Sequence, residues 1–256
     1  MDLLNIMDIT VNYGKDEKAS VKNFNLTLQP GEIIALVGES GSGKTTVLRS
    51  ILGLLPGKGK VEQGDILFQG TSLLTLEQKQ WKNLRGTEIS MIFQDSGAMI
   101  NPIRTIGDQF VEYIRMHKKV GKKEAWKRGS DMLAKMHLQD AERIMKSYPF
   151  QLSGGMRQRV GIAMAMTFQP KILLADEPTS ALDVTTQAQI VRQFMEIRDL
   201  YHTAIIMVTH NIAMAAYMAD QLIVMRNGRI TESGKKEDVI KNLLACVPDI
   251  GGKRYV

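Results

Sequence analysis

The chain reads as an α/β fold: a mainly parallel sheet with flanking helices, preceded by an N-terminal antiparallel β subdomain and interrupted by an inserted helical lobe. Three observations predict this. Ile33 to Val37, Lys171 to Ala175 and Ala204 to Val208 are short, largely apolar runs of the kind that form strands buried on both faces. Leu3 to Val11 and Val21 to Leu28 alternate in polarity, as antiparallel edge strands with one covered face do. From Asp95 to Met166 the pattern turns helical, notably in Ile106 to His117 and Ala125 to His137, with no clear strand.

The first buried run leads into Gly38-Glu39-Ser40-Gly41-Ser42-Gly43-Lys44-Thr45, a complete G-x-x-x-x-G-K-[ST] loop, and Thr46 to Leu52 continues as a helix. Strand, glycine loop and helix together define a P-loop NTPase core. The glycines let backbone N–H groups turn towards a β-phosphate at a helix N-terminus, Lys44 offers a cation to the β and γ oxygens, and Thr45 offers a hydroxyl to Mg²⁺. A nucleotide with Mg²⁺ is the expected ligand, held by residues 38–46, Thr46 included.

The second run delivers Asp176 and Glu177 at its C-terminal end, where ligands sit in doubly wound sheets. Neighbouring strand residues face opposite ways, so Asp176 is expected to face the metal and Glu177 the attacking water as general base. The third run ends in Thr209-His210, which places His210 on the same sheet edge and within reach of a γ-phosphate. Leu152-Ser153-Gly154-Gly155-Met156-Arg157-Gln158-Arg159 precedes an apolar, helix-compatible stretch. There Ser153 can act as N-cap and the glycines expose backbone amides, giving a second anion cradle. One nucleotide does not need two cradles from one chain, so the second is expected to serve a nucleotide held by another subunit.

Composition agrees. With 256 residues and 44% apolar content the chain can bury a full α/β core, and no run of eighteen apolar residues suggests a membrane span. The start, Met1-Asp2-Leu3-Leu4, lacks the form of a signal peptide, and the single Cys246 agrees with a reducing compartment, so a cytosolic location is expected. The net charge of +6 is spread along the chain except at Lys118, Lys119, Lys122, Lys123, Lys127 and Arg128. These read as a solvated helix face, with weak attraction to an anionic membrane surface as the second reading. The methionines at 164, 166, 207, 214, 218 and 225 lie in apolar runs and read as core filling.

In this order the motifs resemble those of the ATP-binding subunits of ABC transporters, from about Leu4 to about Gly234. The resemblance implies a role for each matching position: Tyr13 stacking on adenine, Gln94 in Phe93-Gln94-Asp95 as metal ligand and sensor of the membrane partner, Ser153, Gly154 and Gly155 contacting nucleotide across a dimer, and Asp183 of Ser180-Ala181-Leu182-Asp183 at the dimer interface. It makes Lys44, Glu177 and His210 the catalytic set and Thr45, Gln94 and Asp176 the metal set. On the residues alone, Tyr13 is equally an exposed strand-end aromatic. Met91 to Asp95 with Asn101-Pro102, together with Tyr148 to Arg159, is similar to importers of dipeptides, oligopeptides and nickel. The implied assembly is a second ATP-binding subunit, identical or homologous, transmembrane permease subunits and, indirectly, an extracytoplasmic solute-binding protein, at the cytoplasmic face of the membrane, with no nucleic acid.

The expected organisation is one domain over 1–256, with a catalytic core of 1–94 and 167–234, a helical lobe of 95–166 and a tail of 235–256. The permease is expected to dock where core meets lobe, around Gln94 to Pro102, with Met99 and Ile100 packing on it; the other reading is that these two anchor the loop to the lobe. The alternative function is an ABC-type ATPase of nucleic-acid or ribosome machinery. Against it, no sustained heptad run separates Lys44 from Ser153, and only one set of motifs is present.

Overall fold

The computed structural model describes residues 2–14, 19–94, 99–180 and 182–245. The expectations placed on Asp95, Ser96, Gly97, Ala98, Ala181 and Cys246 lie outside them. Two sheets organise the chain. The first joins β1 (Leu4–Asn12), β2 (Val21–Leu28), β4 (Lys60–Phe68) and β5 (Thr71–Ser72) in the order β2-β1-β4-β5, with every pairing antiparallel.

The second sheet contains β3 (Ile33–Val37), β6 (Ile89–Ile92), β7 (Ile172–Asp176), β8 (Ala204–Thr209), β9 (Gln221–Arg226) and β10 (Arg229–Lys235), in the order β10-β9-β3-β8-β7-β6. Five of these strands run parallel, and β10 closes the edge as an antiparallel hairpin with β9. The helices are α1 (Lys44–Ile51), α2 (Gln78–Leu84), α3 (Ile106–His117), α4 (Lys122–Lys135), α5 (Ala141–Lys146), α6 (Gly154–Met166), α7 (Val184–Tyr201), α8 (Ile212–Met218) and α9 (Lys236–Ala245).

The unbroken apolar strands have a direct cause. Every residue of β3, β7 and β8 is buried, and strand alternation divides them between two cores. Ile33, Ala35, Val37, Leu173, Ala175, Ile205 and Met207 join the core shared with α3 to α8. Ile34, Leu36, Ile172, Leu174, Ile206 and Val208 join the core shared with α1 and the antiparallel sheet. A polar residue on either face would lose its water without a partner. From 106 to 166 the described chain is helical with no strand. Phe110, Ile114, Leu133 and Ile144 bury α3, α4 and α5 against one another.

Of the basic cluster, Lys118 and Lys119 lie in the link between α3 and α4 and the rest on α4, all exposed; Arg128 pairs with Glu124 at 2.6 Å. Met166, Met207, Met214, Met218 and Met225 are buried, and Met164 packs partly buried against the first core.

Candidate nucleotide site

The strand order sets the site. β3, β8, β7 and β6 lie side by side and parallel, so their C-terminal ends present the glycine loop, His210, Asp176 with Glu177, and Gln94 along one edge. The loop geometry requires glycine at two points. At Gly38 (φ 146°) a Cβ would stand 2.1 Å from the Met225 carbonyl oxygen, and at Gly43 (φ 101°), the N-cap of α1, 2.6 Å from the Ser20 carbonyl oxygen. Any larger residue would push the loop off β9 and β2 and close the cradle.

The cavity over this edge measures about 410 Å³, and its lining includes Gly38, Ser40, Gly41, Gly43, Lys44, Thr45, Thr46, Gln94, Glu177 and His210. Ser20 and Ser180 also line it; Ser20, just before β2, stands in no motif, and Ser180 opens the Ser180-Ala181-Leu182-Asp183 motif, of which only Asp183 carried an expected role. Lys44 Nζ donates to the carbonyl oxygens of Gly38 (2.8 Å) and Glu39 (2.7 Å) and to Ser42 Oγ (3.2 Å), so it spans the loop it is expected to serve. Burial pulls the Lys44 ammonium below its ordinary value, against the opposing pull of Glu177 and Asp176. Ser42 is itself buried and Glu39 exposed, and both hold Lys44 from outside the cavity lining.

Thr45 Oγ1 donates to Asp176 Oδ1 at 3.0 Å. Asp176 is 3% exposed, and burial pushes its carboxyl up, opposed by the Thr45 hydrogen bond and Arg49. A hydroxyl and a carboxylate brought together as hard oxygen donors fit Mg²⁺, which takes one or two protein ligands and completes its shell with phosphate and water. Gln94 lines the same cavity.

The alternation argument does not hold at Glu177. β7 ends at Asp176, and Glu177 turns into the left-handed region (φ 48°), held by its N–H on the Val208 carbonyl at 2.9 Å. The turn, and not strand pleating, swings the two carboxylates apart. Glu177 Oε2 then lies 2.8 Å from His210 Nδ1.

Tyr13 stands at the margin. Its hydroxyl is 3.3 Å from Thr46 Oγ1 and its ring lies against Gly59, where a Cβ would come within 2.7 Å of Cε1; it is absent from the cavity lining. Ser153, Gly154 and Gly155 are also absent from that lining. Ser153 caps α6 by accepting from Met156 N–H at 3.3 Å, and Ser153 and Gly154 are exposed. Asp183 caps α7, accepting from Thr186 N–H and Oγ1 at 2.9 and 2.7 Å, which holds its carboxyl below the usual range.

A second cavity, of about 430 Å³, opens between β6 and the helices and is lined by Met91, Phe93, Met99, Ile100, Tyr113 and Met116 among others. Here Met99 and Ile100 separate. Met99 is 63% exposed, whereas Ile100 is 6% exposed and belongs to the core, so for Ile100 the anchoring reading is the correct one.

The family model described as "ABC transporter" matches residues 21–180. Among curated relatives, the oligopeptide transport ATP-binding protein OppD of Salmonella typhimurium is 42% identical over 93% of this chain and 71% of its own length. The dipeptide transport ATP-binding protein DppD of Bacillus subtilis is 44% identical over 94% and 75%. Among solved structures, the dimeric ATP-binding cassette MJ0796 bound to ADP and Pi superposes with a TM-score of 0.79 at 27% identity, over 91% of this chain and 98% of that one. CbiO1 from Clostridium perfringens, part of the ABC transporter complex cbiONQ, gives 0.82 at 27%, over 95% and 92%. Relatives of this kind exclude the nucleic-acid and ribosome alternative. The chain belongs to the ABC transporter family, as an ATP-binding subunit whose hydrolysis of ATP is coupled to transport.

Proposed function

We propose that the chain drives a peptide importer by closing in pairs, so that two ATP are held between the glycine loop of each subunit and Ser153, Gly154 and Gly155 of the other. One observation carries this reading: the capped N-terminus of α6 is solvent-exposed and shares no cavity with the chain's own P-loop. It is an anion cradle with no anion of its own to hold. Peptides are the substrate class in the names of the OppD and DppD relatives, and we propose peptides over nickel on that ground.

Within each site Lys44 leaves the loop carbonyls for the phosphates, Thr45, Asp176 and Gln94 would hold Mg²⁺, and Glu177 takes the proton of the attacking water while His210 positions the γ-phosphate. The metal, when bound, neutralises developing charge on the phosphate oxygens. Tyr13 supplies an aromatic edge for the adenine, and Asp183 faces the partner subunit. The domain division follows the same logic: core 1–94 and 167–234 binds nucleotide, lobe 95–166 presents Ser153, and 235–256 is a tail.

Ser153→Arg is expected to abolish ATP hydrolysis by the assembled transporter while each subunit still binds ATP; normal hydrolysis in a complex carrying the substitution in both ATPase subunits would defeat the shared-site reading.

No helix among the described residues is long and apolar enough to cross a membrane. In this reading force passes through docking on permease subunits at the cytoplasmic face of the membrane, with a solute-binding protein delivering cargo on the other side. The apolar cavity beside Gln94 suits a short permease helix. Because Ile100 is core, the docking test uses Met99→Asp with Met116→Asp, both more than half exposed. The pair is expected to reduce co-purification with the permease by about tenfold, the loss of roughly 1.4 kcal/mol of contact, with melting temperature and ATP binding unchanged. Full complex formation would place the docking surface elsewhere.

A further inference from the structure

The shared-site reading leaves open how a subunit whose α6 cradle engages the partner's nucleotide adjusts its own catalytic turn. One side chain joins the two. Gln158 lies on the second turn of α6, is 5% exposed, and donates through Nε2 to the Pro178 carbonyl oxygen at 2.7 Å. A buried amide in an otherwise apolar helix face is costly without such a partner. Pro178 directly follows Glu177.

The turn that carries Glu177 is fastened at other points too, among them Thr179 Oγ1 on Met214 Sδ (3.4 Å), Ser180 Oγ on the Glu177 carbonyl (3.2 Å) and Glu177 Oε2 beside His210 Nδ1 (2.8 Å). Among these bonds only that of Gln158 comes from α6. Glu177 N–H is held by β8, Ser180 N–H returns to the Glu177 carbonyl at 3.3 Å, and Gln187 Nε2 donates to the carbonyls of Thr179 (3.2 Å) and Leu182 (3.0 Å). The first turns of α6 and α7 are also in close contact, since a Cβ on Gly155 would come within 2.7 Å of Thr186 Cγ2. The α6 cradle, the start of α7 and the turn between them are thus one packed unit, with Gln158 as the polar strut from α6 to the residue next to Glu177.

We propose that Gln158 is a positioning residue that couples the two nucleotide sites: engagement of Ser153 to Gly155 by the partner's nucleotide shifts α6, and the Gln158–Pro178 hydrogen bond carries the shift to Glu177 of the same chain. The proposal rests on the shared-site reading. It makes Gln158 an element of cooperativity and not of nucleotide binding.

The test uses the assembled transporter. Gln158→Met, similar in length but without the donor, is expected to lower kcat roughly 2- to 30-fold, to bring the Hill coefficient for ATP towards 1, and to leave KM for ATP within about twofold. Gln158→Glu adds a signature that packing alone does not produce. Its carboxylate repels the Pro178 carbonyl, whereas the protonated acid donates to it, so the ratio of its kcat to that of the unmodified transporter is expected to rise as pH falls. An unchanged kcat and Hill coefficient in Gln158→Met would overturn the coupling. So would a Gln158→Glu ratio that is flat with pH while the melting temperature falls. Ser153→Arg run in parallel separates the two readings: normal hydrolysis there refutes the shared site, and loss there with an unaltered Gln158→Met refutes the strut alone.

Discussion

Glu177→Gln is expected to lower steady-state ATP turnover by about 10² or more, the usual loss for a positioned base, while ATP binding persists and the paired subunits stay closed. The side chain is 16% exposed at the cavity wall with Oε2 2.8 Å from His210 Nδ1, and no other acidic residue lines that cavity among the described residues. A base at this point must keep a free lone pair towards the cavity and a fixed orientation. The left-handed turn, tied to Val208 O, supplies the orientation at some backbone cost. Glutamine has the same shape and can still accept from His210, so packing and nucleotide affinity are preserved and only proton acceptance is lost. Equilibrium binding of a fluorescent ATP analogue, phosphate release and size-exclusion in MgATP together check this outcome. Undiminished phosphate release would remove Glu177 as the base. His210→Ala, which frees Glu177 without removing it, is expected to reduce turnover by a smaller factor.

How much of this was legible in the sequence depends on where the physics is local. Buried parallel strands leave unbroken apolar runs, so β3 was readable to the residue and β7 and β8 within one residue. The P-loop and the Ser153 cap were readable because each requirement, a turn or a donor, is met by a residue type at fixed spacing. β4, with Gly64 in its middle and a largely exposed first half, has no run or clean alternation to show. The β9–β10 hairpin does carry a local signal. Asn227-Gly228, both at positive φ, is the dipeptide favoured in tight hairpin turns. Ser20 reaches the cavity through the long-range packing of the segment before β2, which no local pattern encodes. The cause of the divergence of Glu177 from Asp176, and the choice between docking and anchoring for Ile100, lie beyond local pattern for the same reason. Each depends on where a turn or loop meets the rest of the chain, whereas the pattern shows only residue type.

Asp176→Asn is expected to produce opposite effects on function and stability. Asp176 is 3% exposed, and burial outweighs the Thr45 hydrogen bond and the nearby Arg49 and Lys44 in setting its carboxyl above the ordinary range. The folded, nucleotide-free subunit therefore binds this proton more tightly than the unfolded chain. Its stability is greatest below the ordinary carboxylate range and falls as pH rises towards the raised folded value, and the deficit remains at neutral pH. Asparagine keeps an oxygen for Thr45 Oγ1, 3.0 Å away in the native chain, and removes the buried charge. The nucleotide-free variant is expected to melt higher by about 2–4 °C, the shift given by roughly 1 kcal/mol in a chain of this size. Part of its loss of stability between acid and neutral pH is expected to disappear as well. Function moves the other way. If Asp176 is the anionic ligand of the proposed Mg²⁺ site, the added stabilisation by MgATP over ATP alone is expected to vanish, and hydrolysis to fall by about 10² or more. Thermal melts with and without Mg²⁺ at several pH values read both effects on one sample. A variant that melts lower than the unmodified subunit without nucleotide would show that the Asp176 charge holds Lys44 and the loop together, and that metal binding does not account for the cost of burying it.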